Sequence, residues 1–363
     1  MLPYRSLWSN TKFAFEVLDL QAGDKIVSML PMAHMYGLAF EFLYEFSVGC
    51  HIYFLTRMPS PKIIFQAFEE VKPSLIVAVP LIIEKIIKKS VLPKLETPAM
   101  KILLKVPIIN DKIKATVREE MIKAFGGNFK AVIVGGAAFN QEVEQFLKMI
   151  DFPYTVGYGM TECGPIICSS RWDTLKLASC GKATSRMEVR IDSPDPKTHA
   201  GEIVCRGMNM MLGYYKNPEA TAEVLDENNF LHSGDLGIKD EDGNYRITGR
   251  IKDMIIRGGE NIYPREIEEF LYKLDGVKDV QVAGIPSKKY GEAVGAFIIL
   301  QEGVKMQEAD VRDFCRNKIS RYKIPKYIFF VNEFPMTGSG KIQKFRLKDL
   351  GLQLCKEQGI EII

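Results

Sequence analysis

Residues 248–264 read Thr248-Gly249-Arg250-Ile251-Lys252-Asp253-Met254-Ile255-Ile256-Arg257-Gly258-Gly259-Glu260-Asn261-Ile262-Tyr263-Pro264. The stretch is charged and glycine-bearing. It nevertheless carries an apolar core, Met254-Ile255-Ile256, where a flexible linker would be polar throughout. Apolar strand-like runs alternate with helix-like runs before it, and a compact segment of different character follows it. Two readings fit. One is an ordinary interdomain strand and turn. The other is a joint: a charged pivot, a short strand, and a Gly-Gly turn where backbone can approach a ligand closely.

Working back toward the amino terminus, strands are expected at Asp24 to Leu30, His51 to Leu55, Ser74 to Val79, Ala131 to Val134 and Tyr154 to Val156. The run Ser74 to Val79 is apolar without alternation, as in a strand buried on both faces. Helices are expected at Pro61 to Val71, Leu81 to Ser90 and Asp111 to Phe125, the last stopped by Gly126-Gly127. Asn140 can cap a further helix whose Val143, Phe146, Leu147 and Ile150 share a face. This alternation predicts a parallel α/β sheet, in which ligands sit beyond the carboxyl ends of the strands. From about residue 180 short strands lie between turn clusters, which predicts a small, mostly antiparallel, β-barrel-like subdomain. Beyond the joint, Pro264 opens a helix with Ile267, Phe270, Leu271 and Leu274 on one face. Strands Val280 to Gly284, Val294 to Leu300 and Tyr327 to Val331, with a helix Glu308 to Ile319, complete a small α+β domain. The expected division is 1–178, 179–250 and 251–363.

The totals exclude several classes. At 363 residues, 47% hydrophobic and 26% charged, the composition is that of a globular protein with two or three domains. A formal charge of +3 is too small and too dispersed for a nucleic-acid partner. No apolar run reaches membrane-spanning length, while peripheral contact with a membrane stays open although no basic amphipathic helix argues for it. Seven scattered cysteines without a C-x-x-C pair point to reduced thiols in a cytoplasmic protein.

Several short segments could carry chemistry. Gly135-Gly136-Ala137 lies between a strand and a helix, where small residues admit a flat or anionic ligand, or simply make a tight turn. Gly157-Tyr158-Gly159-Met160-Thr161-Glu162 sets an aromatic between glycines and a hydroxyl beside a carboxylate. Tyr158 could stack on a base, Thr161 could bond a phosphate, and Glu162 could hold Mg²⁺, which takes oxygen ligands. His232-Ser233-Gly234-Asp235 is expected to place a carboxylate in a turn, with Arg250 close behind. Lys341 ends Thr337-Gly338-Ser339-Gly340-Lys341, which is not a Walker loop because no Ser or Thr follows the lysine. His34, a lone histidine among apolar residues, is most simply a satisfied core or rim side chain.

The order of these segments says more than any one of them. PMAHMYG (31–37), VGGAAF (134–139), GYGMTECGP (157–165), GEIVCRG (201–207), GYYKNPEATAE (213–223), HSGDLG (232–237), YRITGRIKD (245–253), RGGENIYPREIE (257–268) and PMTGSGKIQK (335–344) follow one another along the chain. Together they resemble the adenylate-forming, or AMP-binding, family of acyl-CoA synthetases, luciferases and peptide-synthetase adenylation domains. Within it the chain is most similar to bacterial long-chain fatty acid–CoA ligases. The resemblance implies an acyl-CoA synthetase/luciferase-like fold, with ATP, CoA and a fatty acid as substrates and Mg²⁺ as cofactor. It implies that Gly136, Ala137, Tyr158 and Gly159 frame adenine, that Thr161 contacts the α-phosphate, and that Glu162 binds the metal. Asp235 and Arg250 would hold the ribose. Lys252 would be the hinge, Lys341 the lysine bridging carboxylate and α-phosphate, Gly259 part of the pantetheine tunnel, and His34 a gate of the acyl pocket.

Family members carry a Ser/Thr/Gly-rich phosphate loop just before a segment like Leu2-Pro3-Tyr4-Arg5-Ser6. The resemblance therefore implies a large domain that is partial at its start, ATP-dependent activity lost or severely reduced in this chain, and an apolar face within 1–160. Two further readings stay open: an adenylation protein loading a carrier-protein thiol, and a non-catalytic nucleotide-binding or interaction remnant.

Overall fold

Ile76–Ala78 and Val132–Val134 are buried along their whole length and pair in parallel, Ile76 opposite Val132 and Ala78 opposite Val134. Tyr154–Val156 extends the same parallel sheet on the other side of 132–134. Lys25–Ser28 (β1) and His51–Phe54 (β2) form a second parallel pair, joined to the first by a bridge from Ile26 to Leu75. Thus 76–78, 132–134 and 154–156 are β3, β4 and β5 in a computed structural model that describes residues 1–57, 59–91, 107–336 and 342–362. Helices Pro61–Val71, Pro80–Ser90, Pro107–Ala124 and Gln141–Met149 alternate with these strands. Their apolar faces bury Ile64, Phe68, Ile83, Ile87, Phe125, Val143 and Leu147 against the sheet in one continuous core. Asn140 caps the last of them by accepting a bond from the Val143 amide, as its position predicts. The helix expected from Asp111 begins earlier, at Pro107.

Contacts divide the chain into two bodies. The first is Met1–His199 with Ile203–Ser233 and Ile238–Arg246; the second is Ala200–Glu202 and Gly234–Gly237 with Ile247–Ile363. The first also contains a small antiparallel sheet of Tyr158–Gly159 (β6), Ile166–Ser169 (β7) and Lys182–Ala183 (β8). Met187–Asp192 (β9), Gly201–Gly207 (β10), Leu231–Lys239 (β11) and Tyr245–Arg250 (β12) line up as β12-β11-β10-β9. Among the described residues the expected small β subdomain over 179–250 takes the form of open sheets of short strands, with no closed barrel. His232 to Gly237 is a correction. It was expected as a turn and lies within strand β11.

The second body holds a five-stranded sheet. Ile255–Arg257 (β13) and Glu260–Ile262 (β14) form a hairpin whose partners Arg257 and Glu260 flank a two-residue loop. Gly258 and Gly259 have φ of +59° and +89°, so both loop positions are left-handed and glycine fits them without strain. Val277–Ser287 (β15) and Gly291–Leu300 (β16) pair antiparallel, and Tyr327–Phe330 (β17) adds in parallel to β16. Helices Pro264–Leu271 and Glu308–Cys315 pack Ile267, Leu271 and Val311 onto one core. Leu274 lies past the end of the first helix, and the second stops four residues before the expected Ile319.

Three helical segments have no counterpart in the sequence expectations: Tyr4–Val17 (α1), the run 35–48 with a π-turn at Ala39–Leu43, and Lys344–Glu357. The first has its polarity inverted. Ser6, Ser9 and Asn10 are fully buried, while Tyr4 is 84% and Trp8 43% exposed. In the π-turn, Glu41 is buried and accepts from the Met29 and Leu30 amides and from Ser28 Oγ, closing the carboxyl end of β1. Among the described residues, no helix is long and apolar enough to cross a membrane.

Candidate active site

The parallel pairing puts the carboxyl ends of β4 and β5 side by side, Val134 opposite Val156. Beyond them run Gly135-Gly136-Ala137 and Gly157-Tyr158-Gly159, tied by a 3.0 Å bond from the Gly157 amide to the Val134 carbonyl. Gly136 and Ala137 are exposed and Tyr158 is half-buried. The structure thus brings together four residues assigned to adenine: a glycine-bearing backbone edge and, next to it, an aromatic ring.

From Gly159 the chain makes a hairpin that returns at Ile166, closed by a 2.8 Å bond from the Met160 amide to the Pro165 carbonyl. Thr161–Cys163 forms a single 3-10 turn at its tip. Gly164 ends it at φ +57°, and a Cβ there would stand 2.3 Å from Ser6 Oγ. Only glycine lets the turn pass this close to α1. The inverted face of α1 is the support. Asn10 Nδ2 donates to the Cys163 carbonyl at 3.1 Å, and Asn10 Oδ1 accepts from the Ile166 amide at 2.9 Å. Ser6 Oγ donates to the Asn209 carbonyl, and Asn209 Nδ2 donates to the Ile166 carbonyl. Thr161 is left exposed at the tip, and Glu162 is half-buried beside it.

Glu162 is held twice. Its carbonyl accepts from the Met211 amide at 2.7 Å, and its Oε1 accepts from the Tyr214 hydroxyl at 2.8 Å. Burial and the adjacent carboxylate push the Tyr214 phenol up to about 12, so it stays a donor at neutral pH. Ser6, Asn10, Asn209 and Tyr214 were not foreseen as site residues. Tyr214 stands in the segment GYYKNPEATAE, which was singled out without a role for any residue in it.

In the second body, Asp235 is 6% exposed on its strand, and Arg250 Nε meets its Oδ1 at 2.9 Å. The Arg250 side chain is otherwise largely exposed. The sequence places these two residues close together in number, and the structure makes them an ion pair. Lys252 lies exposed in the 3-10 turn Ile251–Asp253, and Gly259 is exposed at the hairpin tip. His34 is exposed and caps the helix that starts at Met35, its Nδ1 accepting from the Tyr36 amide at 3.3 Å. Lys341 lies outside the described residues. The segment before it and the segment after it meet at a bridge between Met336 and Ile342.

Two family models match the chain in order. The chain matches the model of the AMP-binding enzyme over residues 1–215 and that of the AMP-binding enzyme C-terminal domain over residues 266–341. A long-chain-fatty-acid–CoA ligase of Bacillus subtilis is 31% identical over 96% of this chain and 58% of its own length. The mitochondrial medium-chain acyl-CoA ligase ACSF2 of Homo sapiens is 40% identical over 60% of this chain and 37% of its own length. The chain therefore spans less than two thirds of the length of these relatives. Among solved structures, ATP-bound MatB from Rhodopseudomonas palustris superposes with a TM-score of 0.81 at 24% identity, covering 96% of this chain and 64% of that one. MenE from Bacillus subtilis with its acyl-adenylate intermediate gives 0.77 at 23% identity, covering 96% and 66%. These two likenesses show a shared adenylate-forming fold. With one family model covering more than half of the chain and its companion following in order, the chain belongs to the AMP-binding enzyme family.

Proposed function

We propose that this chain carries the nucleotide- and acyl-handling residues of an acyl-CoA ligase acting on a long-chain fatty acid. The observation that carries the reading is the alignment of 96% of the chain with a long-chain-fatty-acid–CoA ligase, whereas the medium-chain relative aligns over 60%. In the first half-reaction a carboxylate oxygen bonds to the α-phosphorus of ATP, and the bond to pyrophosphate breaks. In the second, the sulfur of CoA bonds to the acyl carbon, and AMP leaves. Such displacements need positioning and charge neutralisation more than covalent help from the protein.

The residues fit those needs. Adenine lies against Tyr158 and the edge formed by Gly136, Ala137 and Gly159. Asp235 accepts from the ribose hydroxyls while Arg250 holds its carboxylate in place. The Thr161 hydroxyl donates to the α-phosphate, and Lys341 supplies positive charge where the carboxylate and phosphate meet. Lys252 is the hinge between the two half-reactions, Gly259 leaves room for the pantetheine arm, and His34 borders the acyl chain.

Glu162 offers one carboxylate, and among the described residues no three His, Cys, Asp or Glu side chains gather to cage a metal. That donor set suits Mg²⁺, which is commonly held by one or two carboxylates together with substrate phosphates. When bound, the ion would neutralise charge on the phosphoryl oxygens.

The test is calorimetric titration of the chain with a palmitoyl-sulfamoyl adenosine, a stable mimic of acyl-AMP that makes no demand on a triphosphate cradle. Asp235→Ala removes a charged acceptor of two hydroxyls, each bond worth roughly 1.5–3 kcal/mol, so affinity should fall at least tenfold. Absence of binding to the wild type, or equal affinity for Asp235→Ala, overturns the reading.

A further inference from the structure

The segment GYYKNPEATAE is built around one side chain. Asn217 caps the helix Pro218–Val224 by accepting from the Ala220 amide at 3.0 Å. That helix presents Thr221, whose Oγ1 accepts from the Tyr214 amide at 2.9 Å and donates to the Asn217 carbonyl at 2.8 Å. Gly213 makes the approach feasible, since a Cβ there would stand 2.8 Å from Thr221 Cγ2. On the other side, the Leu212 amide bonds the Met1 carbonyl at 2.8 Å. Every one of these contacts fixes the backbone around Tyr214. The ring then reaches the Glu162 carboxylate at 2.8 Å, while the Met211 amide holds the Glu162 carbonyl.

We infer that Tyr214 is the positioning residue for the metal-facing carboxylate of Glu162. The inference rests on the reading of Glu162 as the metal ligand. A flexible glutamate at the tip of a turn has several rotamers, and only some aim an oxygen at the phosphates. The hydroxyl takes Oε1 and so favours one of them, which would leave Oε2 to serve a cation. A neutral donor suits this task better than an arginine or lysine would. It orients the carboxylate without cancelling the negative charge that attracts the ion. Partners of this kind, acting on a ligand from behind, typically change metal affinity by about tenfold to a hundredfold.

The experiment uses Mn²⁺ with ATP as the probe, read by water-proton relaxation enhancement on the whole chain, alongside metal-free titration with AMP. Glu162→Gln should abolish the enhancement. Tyr214→Phe, which keeps the ring and its packing, should weaken Mn²⁺–ATP binding about tenfold and leave AMP binding unchanged. The double variant should bind no worse than Glu162→Gln alone, because the two side chains act in series. If Glu162→Gln loses the signal and Tyr214→Phe keeps it, the inference falls and the Glu162 reading stands. If Tyr214→Phe weakens AMP and Mn²⁺–ATP equally, Tyr214 is a packing residue and the inference also falls. If the wild type shows no enhancement, or Glu162→Gln retains it, the Glu162 reading itself fails and the inference with it.

Discussion

Asn10 is the clearest point at which to break the candidate site without touching it. The side chain is fully buried and makes three bonds: to the Ser6 carbonyl at 2.8 Å, to the Cys163 carbonyl at 3.1 Å, and from the Ile166 amide at 2.9 Å. The Ser6 carbonyl belongs to α1 and has a helical partner, so Asn10→Ala orphans two groups, one on each arm of the turn 160–166. A buried polar group left without a partner costs about 1–3 kcal/mol, which gives a local loss of about 2–6 kcal/mol. Relaxation of the turn toward water favours the lower end. Hydrogen exchange of peptides covering 158–168 reads this directly, because opening free energies are local. Two kcal/mol corresponds to exchange roughly thirtyfold faster. Thr11→Ala is the control: its hydroxyl bonds the Leu7 carbonyl of its own helix, at 3.0 Å, and exchange at the turn should not change. Exchange in Asn10→Ala within threefold of wild type would refute the claim that α1 holds the turn.

Two other perturbations test the first body. Glu41 and Glu45 are fully buried, and among the described residues neither carboxyl oxygen of Glu45 finds a partner outside its own residue. Burial pushes Glu41 up to about 7 and Glu45 up to about 8. Their folded values lie above the unfolded ones, so the folded state holds more protons at these two groups, and the stability they contribute is fully present below about pH 4.3 and is lost as pH rises toward 8. Glu45→Gln should stabilise the first body at pH 8 by at most on the order of 4 kcal/mol, read as a higher urea midpoint, and should flatten the decline of that midpoint between pH 5 and 8. Equal midpoints at pH 8 would contradict this. Gly159→Ala sets a Cβ 2.0 Å from the Pro165 carbonyl oxygen, just before the strand it pairs with. The hairpin must open, and binding of the acyl-adenylate mimic should be lost. Gly249→Ala, whose Cβ would meet nothing within 4 Å, should bind normally. Binding retained by Gly159→Ala would show that the hairpin is not part of the site.

Much of the fold was legible because the strands obey simple rules. The runs at 76–78 and 132–134 are apolar on both faces, and parallel strands covered by helices have to be. The helix capped by Asn140 has its apolar residues at helical spacing. The Gly-Gly loop between β13 and β14 needs two left-handed residues, and the sequence supplies two glycines in a row. The misses have equally definite causes. Strand β11 contains His232, Ser233, Gly234 and Asp235, a composition that favours turns in isolation. It is strand because pairing with its neighbour outweighs local preference. Glu41 and Glu45 lie in a helix that includes a π-turn, and nothing in a carboxylate's identity predicts that it will be buried.

Helix α1 shows where reading from sequence stops. Ser6, Ser9 and Asn10 fall at helical spacing and would be taken for a solvent face, with Tyr4 and Trp8 toward the core. The structure is the reverse, because the partner of α1 is a turn full of backbone amides and carbonyls that need polar company. The motif residues are conspicuous by type: glycines, a lone Thr-Glu pair, a buried aspartate beside an arginine. The residues that support them are ordinary in type and distant in sequence, 153 positions separating Asn10 from Cys163 and 52 separating Glu162 from Tyr214. Family resemblance supplies the first kind, since its motifs are short and local. Only the folded chain supplies the second. The precision with which Thr161 and Glu162 are held therefore depends on Asn10 and Tyr214 as much as on the turn itself, and substitutions at those two supports should separate the geometry of the site from its chemistry.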